Sequence, residues 1–306
     1  MLRGDRHFNR KAAFKRREHV AFFLYLLPAL TVFALFKYWP IFFSAVLSFF
    51  QWNFVGRMKW VGLSNFAAML KRESFQFAAR NTLFYIIGLF PFFVVLPLLF
   101  AVALTNIKSR FAQGFYKALL FIPTILAFSI ICLVWMWMFN PNFGLLNNLV
   151  MLAGGKRVAW LADRKTALFS IIMVTGWKII GSNLILYVAS LMMIPRDYIE
   201  AAIIDGASPW LTFWRIKWPL LAPTTIFILV TAINYAAEKA FTPINILTKG
   251  GPADMSTNLS HIIYVYGFTF FNIGLASATA IFTSIFFFLV TKAMMQSSGG
   301  FGYYEN

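Results

Sequence analysis

The sequence predicts an all-α, multi-pass membrane protein of six spans, and three observations carry that prediction. Of 306 residues, 60% are apolar and only 12% are charged, against about 45–50% and about 25% in soluble domains. Six apolar runs each come near the roughly 20 residues needed to cross a bilayer. Between the fourth and fifth runs lies a charged, helix-prone insert, Glu200–Pro219, which reads EAAIIDGASPWLTFWRIKWP. A chain that only sealed a membrane would need no such insert. A chain that takes mechanical force from a soluble partner would.

Taken in order, the chain opens on a basic tail, residues 1–19. Seven of the 27 Lys and Arg residues lie in the first 17 positions. Basic residues before a first span read as a topology signal that meets anionic headgroups, not as a nucleic-acid site. The first span runs from Val20 to Phe50, interrupted by Lys37 and Pro40, as one kinked helix or a span with an interfacial extension. It is too long for a signal-peptide core, and no small-residue cleavage site follows it. The second span is Asn81–Leu104, with Pro91 and Pro97 inside it. The third is Ala118–Phe139, the fourth Ala167–Met193, the fifth Pro223–Ala240 and the sixth Gly267–Met294. The transmembrane domain thus covers residues 20–296, with the insert and its flanks forming a loop over 194–222. Residues 297–306 are a polar tail with no evident fold. Six spans put both termini on one side, and the basic tail places that side, and the insert, in the cytoplasm.

Composition also excludes functions. Cys132 is the sole cysteine, so no internal disulfide forms, and His7, His19 and His261 are too scattered to predict a metal site. No GxxxxGK[ST] occurs, since Gly155-Lys156 is followed by Arg157. The chain therefore holds no ATP phosphates of its own and binds no cofactor. It offers no nucleophile–base pair and does not read as an enzyme. Energy must come from a partner or an ion gradient.

The insert predicts a helix pair. Pro195 suits a first helical turn, with Asp197 and Glu200 near the positive end of the helix. Gly206 is a natural stop, and Ser208-Pro209 restarts the chain as N-cap and first residue. Pro219 and Pro223 hand it to the fifth span. By itself this also fits an amphipathic helix lying on the bilayer, with Arg215 and Lys217 at headgroups and Trp210, Trp214 and Trp218 in the interface.

The residues of the insert resemble the cytoplasmic EAA loop of ATP-binding-cassette importer permeases: EAA, three residues, Gly, nine residues, Ile, one residue, Leu-Pro. Glu200, Ala201, Ala202, Gly206, Ile216 and Pro219 fall on those positions, and Asp205-Gly206-Ala207 matches the favoured Asp-Gly-Ala. Trp218 stands where Leu is usual. Val61–Phe66, Asn81-Thr82-Leu83, Trp135 through Gly144 to Asn147, Thr248–Pro252, Gly274 and Ala278 look like sugar-importer permeases, and the likeness spans about residues 20–296. It is closest to the first, maltose-F-like subunit of importers of the oligosaccharide and glycerol-phosphate type. The resemblance implies a type I importer permease fold in a bacterial or archaeal inner membrane. It also implies a homologous second permease, two copies of a cytoplasmic ATPase that hold ATP and Mg, and an extracytoplasmic solute-binding protein. Glu200, Ala201, Ala202, Asp205, Gly206, Ile216 and Pro219 would then couple to the ATPase.

Polar groups inside spans are costly and usually face a cavity. Lys178 and Ser182 are four apart, as are Asn183 and Tyr187, Asn234 and Glu238, and Tyr235 and Lys239, so each pair shares a helix face. Lys178, Ser182, Asn183, Tyr187, Asn234, Tyr235 and Glu238 are the expected substrate path, lining or bordering a cavity shared with the second permease. Positions matched to the maltose subunit's sugar site are Ile179, Ser182, Ala236, Ala237 and Ala240, of which four are apolar. Lys178 and Lys239 beside such a cavity would suit an anionic cargo, a uronate oligosaccharide or a sugar or glycerol phosphate. The alternative is an ion-coupled secondary transporter, which would want inverted repeats and buried acids. Glu238 is the only acid in a predicted span.

Overall fold

The computed structural model describes residues 22–298. The basic tail of residues 1–19 and residues 299–306 lie outside them. Among the described residues, four helices are long and apolar enough to cross a bilayer, and six spans result if each of two bent pairs counts as one.

Helix α1 (Phe22–Leu47) loosens into a π-turn at Ala34–Tyr38, just before Pro40. A short hairpin follows, in which β1 (Phe50–Gln51) pairs antiparallel with β2 (Lys59–Trp60). Helix α2 (Ser64–Lys71) then leads into α3 (Glu73–Thr105), a single 33-residue helix that begins eight residues before the predicted second span. It contains Pro91 and Pro97, each of which deprives a carbonyl four residues back of its donor. A π-turn at Pro91–Val95 absorbs the mismatch.

The third span departs from prediction. It is not one helix but two, α4 (Arg110–Ile125) and α5 (Phe128–Met138), bent by 99°. Pro123 weakens the end of α4, and Leu126 and Ala127 adopt extended backbone with ψ of 143° and 142°. Every residue across the break is apolar, Thr124 excepted, so hydropathy alone runs straight through it. Helix α6 (Leu145–Leu152) follows, and α7 (Ala167–Met193) has the predicted bounds of the fourth span. The insert forms α8 (Arg196–Ile204) and α9 (Pro209–Leu220), and α9 meets α10 (Ala222–Thr248) at 64°. The predicted fifth span is the first part of α10, which turns at residues 239–240 and continues. After α11 (Leu259–Tyr264) the last span, α12 (Ile273–Ser298), begins six residues later than predicted. Gly267 lies instead in a π-turn, and Phe271 breaks the chain with φ of 50°.

The main core joins α3, α7 and α10, through Tyr85, Leu89 and Phe93, Leu184 and Tyr187, and Ile228 and Ala236. Phe213 and Trp218 of α9 pack against that same cluster. The insert is therefore fastened to the spans it joins. A second cluster ties α2 and the start of α3 to α10, α11 and α12 through Met69, Phe75, Ile233, Ile262 and Phe287.

Candidate functional site

Helix α8 ends in a Schellman closure. Gly206 is left-handed at φ +73°, its N–H donates to Ile203 O (3.0 Å), and the Ala207 N–H donates to Ala202 O (2.9 Å). Ser208 caps α9 by accepting from Leu211 N (3.3 Å). The exposed face of α8 carries Glu200 and Ala201 beside Ile203 and Ile204, the last two 65% and 85% exposed. Asp205 and Gly206 stand exposed at the tip, and nothing in the chain comes within 4 Å of a Cβ built at Gly206. Ala202 is turned inward and buried, so of the two small residues only Ala201 offers close approach from outside. Ile216 is half-buried and Pro219 exposed. Trp210, Trp214 and Trp218 stack edge to face at 5.5 and 5.7 Å. That ladder runs from the exposed tip down to the core, and it makes the pair of helices a stiff arm.

Within the chain, the seven residues expected along a path make the following contacts. Asn183 is buried and donates to Phe93 O (3.0 Å), the carbonyl that Pro97 cannot serve. Tyr187 OH donates to Thr225 Oγ1 (3.2 Å), joining α7 to α10. Ser182 donates back to Ile179 O (3.0 Å). Tyr235 packs edge-on to Phe93 and against Phe128. Asn234 and Glu238 are exposed on one face of α10, and Glu238 pairs with Lys239 (3.0 Å). Lys178 and Glu238 do not meet. The Lys178 ammonium donates instead to the carbonyls of Pro123 (3.3 Å), Thr124 (3.0 Å) and Leu126, at the α4–α5 break.

Two features were not legible as sites. The first is a loop over 249–261, docked on α3. Asn81 donates to Asp254 O (2.9 Å), Tyr85 to Ser256 O (2.7 Å), and Thr82 Oγ1 accepts from Leu259 N (3.1 Å). Asn258 caps α11 and donates to Ala236 O and Ala237 O (3.2 Å each), so it closes onto α10. His261 lies beneath Gly250, its Nδ1 against Thr257 Oγ1 at 2.9 Å. Burial pushes the His261 imidazole down from 6.5 to about 4, so it is neutral in the docked loop. A freed loop takes up that proton below about pH 6.5, so docking is at full strength above that pH and weakens as pH falls toward 4, by up to about 3 kcal/mol. Burial raises the Asp254 carboxyl and acts with the opposite sign. The protection factors of amides over residues 249–261, exchange rates taken relative to the unprotected amide at each pH, should therefore fall between pH 7 and pH 5 in Asp254→Asn. The fall should vanish when His261→Gln is added, and its persistence there would refute the assignment.

The second feature is a cavity of about 360 Å³ where the β1–β2 hairpin meets the start of α12. It lies on the side predicted to face outward. Trp52, Phe270 and Phe271 wall it, with Gln51, Asn53, Asn272, Arg57 and Lys59 around them. Arg57 and Lys59 make no ion pair among the described residues. Aromatic faces, amides and free cations together suit a sugar ring bearing an acid group.

Comparison with known proteins agrees with this anatomy. The family described as "Binding-protein-dependent transport system inner membrane component" matches residues 133–297. The sn-glycerol-3-phosphate transport system permease protein UgpA of Agrobacterium fabrum is 31% identical over 272 residues, covering 88% of this chain and 91% of that one. The probable ABC transporter permease protein YurN of Bacillus subtilis is 34% identical over 280 residues, covering 90% and 94%. Among solved structures, a bacterial ABC transporter involved in the import of the acidic polysaccharide alginate aligns with a TM-score of 0.80 at 25% identity, covering 94% of this chain and 98% of that chain.

Proposed function

This chain belongs to the family of binding-protein-dependent transport system inner membrane components, and we propose that it is a transmembrane subunit of an ATP-driven importer of acidic carbohydrate. Its family works in the inner membrane and translocates solute without carrying out chemistry on it. The cargo class in this reading is a uronate oligosaccharide or a sugar or glycerol phosphate. The alginate importer and the glycerol-3-phosphate permeases among the relatives support it. The observation that carries the coupling is the exposed, capped α8–α9 arm packed through Phe213 and Trp218 onto the core of α3, α7 and α10. On the cytoplasmic side, a groove on each of two ATPase copies holding MgATP would receive such an arm. Closure of the ATPases would then swing α7 and α10 together and alternate access.

The remaining partners follow the same logic. In α1, only 6% of the apolar window is buried against the chain. A homologous second permease, with lipid, would cover it, and the exposed Asn234–Glu238 face of α10 would look into the space between the two subunits. An extracytoplasmic binding protein would deliver cargo at the side of the Trp52–Phe271 cavity. Both termini would be cytoplasmic.

The complex in proteoliposomes, loaded with ATP and supplied with its binding protein, tests this. Uptake should require internal ATP and survive an ionophore. An acidic oligosaccharide should be preferred to its neutral counterpart. Arg57→Gln with Lys59→Gln should lower acidic uptake by roughly three- to tenfold, since exposed charges contribute modestly, and spare neutral uptake. Uptake driven by an ion gradient without ATP, or preference for the neutral sugar, would overturn the reading.

A further inference from the structure

We propose that Lys178 is a positioning residue for transport: its ammonium holds the α4–α5 break at its angle, and its role is indifferent to the charge of the cargo. The carbonyls at the end of α4 have lost their helical donors, and in a bilayer no water replaces them. Lys178 reaches them from α7 and donates to Pro123 O (3.3 Å), Thr124 O (3.0 Å) and Leu126 O. One cation thus gathers the last carbonyls of α4 and one inside the break, at the negative end of α4 where the helix dipole favours it.

The contact is reciprocal. Thr124 Oγ1 donates to Lys178 O at 2.9 Å. Gly181, one turn on, lets the helices close up: a Cβ there would meet Leu120 O at 2.5 Å and Phe121 Cα at 2.7 Å. The lysine stem therefore starts from a fixed crossing point and has a defined reach. Beyond the break the ammonium lies 5.2 Å from the centre of the Phe128 ring, which in turn packs on Tyr235 of α10. Holding the break therefore also holds Phe128 against α10. An ammonium engaged in this way is a tether between the elements that must rock, and it leaves recognition of an acid group to cations elsewhere.

The transport readout rests on the importer reading; the distance readout does not. Spin labels at Phe115→Cys on α4 and Trp137→Cys on α5, in a Cys132→Ala background, report the bend in the assembled complex. Both label positions are exposed, and Cys132 is the chain's sole cysteine. Lys178→Met should broaden or shift the distance distribution and lower the maximal uptake rate roughly tenfold or more, because the freed carbonyls shift the population of the bent state. Acidic and neutral cargo should suffer equally, with KM little changed. Lys178→Arg keeps the donors and should restore the distribution. Thr124→Val, a milder change, should move it in the same direction and serves if Lys178→Met does not assemble. An unaltered distribution in Lys178→Met or in Thr124→Val overturns the proposal. So does a loss confined to acidic cargo or expressed in KM.

Discussion

Gly206→Asp should lower uptake by roughly 100-fold or more, the loss expected when a fully desolvated interface centre is charged. Meanwhile the permease itself stays folded. The chain gives little reason for it to unfold: nothing lies within 4 Å of the new Cβ, and the site is exposed. The left-handed φ of +73° costs a non-glycine residue about 1–2 kcal/mol, less for Asp or Asn, which visit that region. Any large effect must therefore come from a surface that covers the tip of α8, where Ile203 and Ile204 stand bare. Gly206→Asn has the same shape without the charge and separates the two causes. It should keep a substantial part of the uptake, while Asp also loses ATPase on co-purification. Normal uptake and normal ATPase retention in Gly206→Asp would refute docking at this tip.

What the sequence revealed about the arm, and what it concealed about the bend in the third span, have the same cause. Helix starts and stops are written locally. Ser208 caps, Gly206 turns left-handed, and prolines bound the segment, so the α8–α9 pair could be read residue by residue. The bounds of α7 were equally plain, because polar or extended residues flank a mostly apolar run that no proline interrupts. Breaks inside apolar sequence are not written this way. Pro123 was the only local mark of the 99° bend, and Pro91 and Pro97 sit in a helix that does not bend apart. At both places α7 serves the orphaned carbonyls: Asn183 meets the Phe93 carbonyl that Pro97 leaves free, and the Lys178 ammonium meets the carbonyls at the end of α4. Such partners come from other helices and are invisible to local pattern. Spacing put the polar residues of α7 on shared faces, but spacing cannot say which of them also serves the backbone of a neighbouring helix. The outer cavity combines residues some 200 positions apart, which no single-sequence periodicity joins.

Gly274 illustrates how a residue marked by likeness alone acquires a physical reason, and its replacement should have the largest effect on the fold. It sits in the first turn of α12, where Ile273 N donates to Trp52 O (3.0 Å). A Cβ at Gly274 would lie 2.0 Å from Phe50 O and 2.8 Å from Asn65 Nδ2. Both neighbours are fixed: Phe50 O belongs to the β1–β2 hairpin, and the Asn65 amide donates to Ser48 O (2.8 Å) and Phe50 O (2.9 Å). A backbone carbonyl cannot swing aside as a flexible side chain can. Gly274→Ala must therefore part the hairpin from α12 and break the Asn65 bonds. Overpacking and a lost buried hydrogen-bond pair together cost about 2–4 kcal/mol. Gly267→Ala is the matched control, since its Cβ would only touch Ala276 Cβ at 3.4 Å. Thermal unfolding of the purified complex should show a clear loss for Gly274→Ala and almost none for Gly267→Ala. The Trp52–Phe271 cavity straddles the same junction, so labelling of Lys59 by an amine reagent should also change in Gly274→Ala alone. Equal melting of the two variants would mean that the hairpin and α12 are not seated on each other as described.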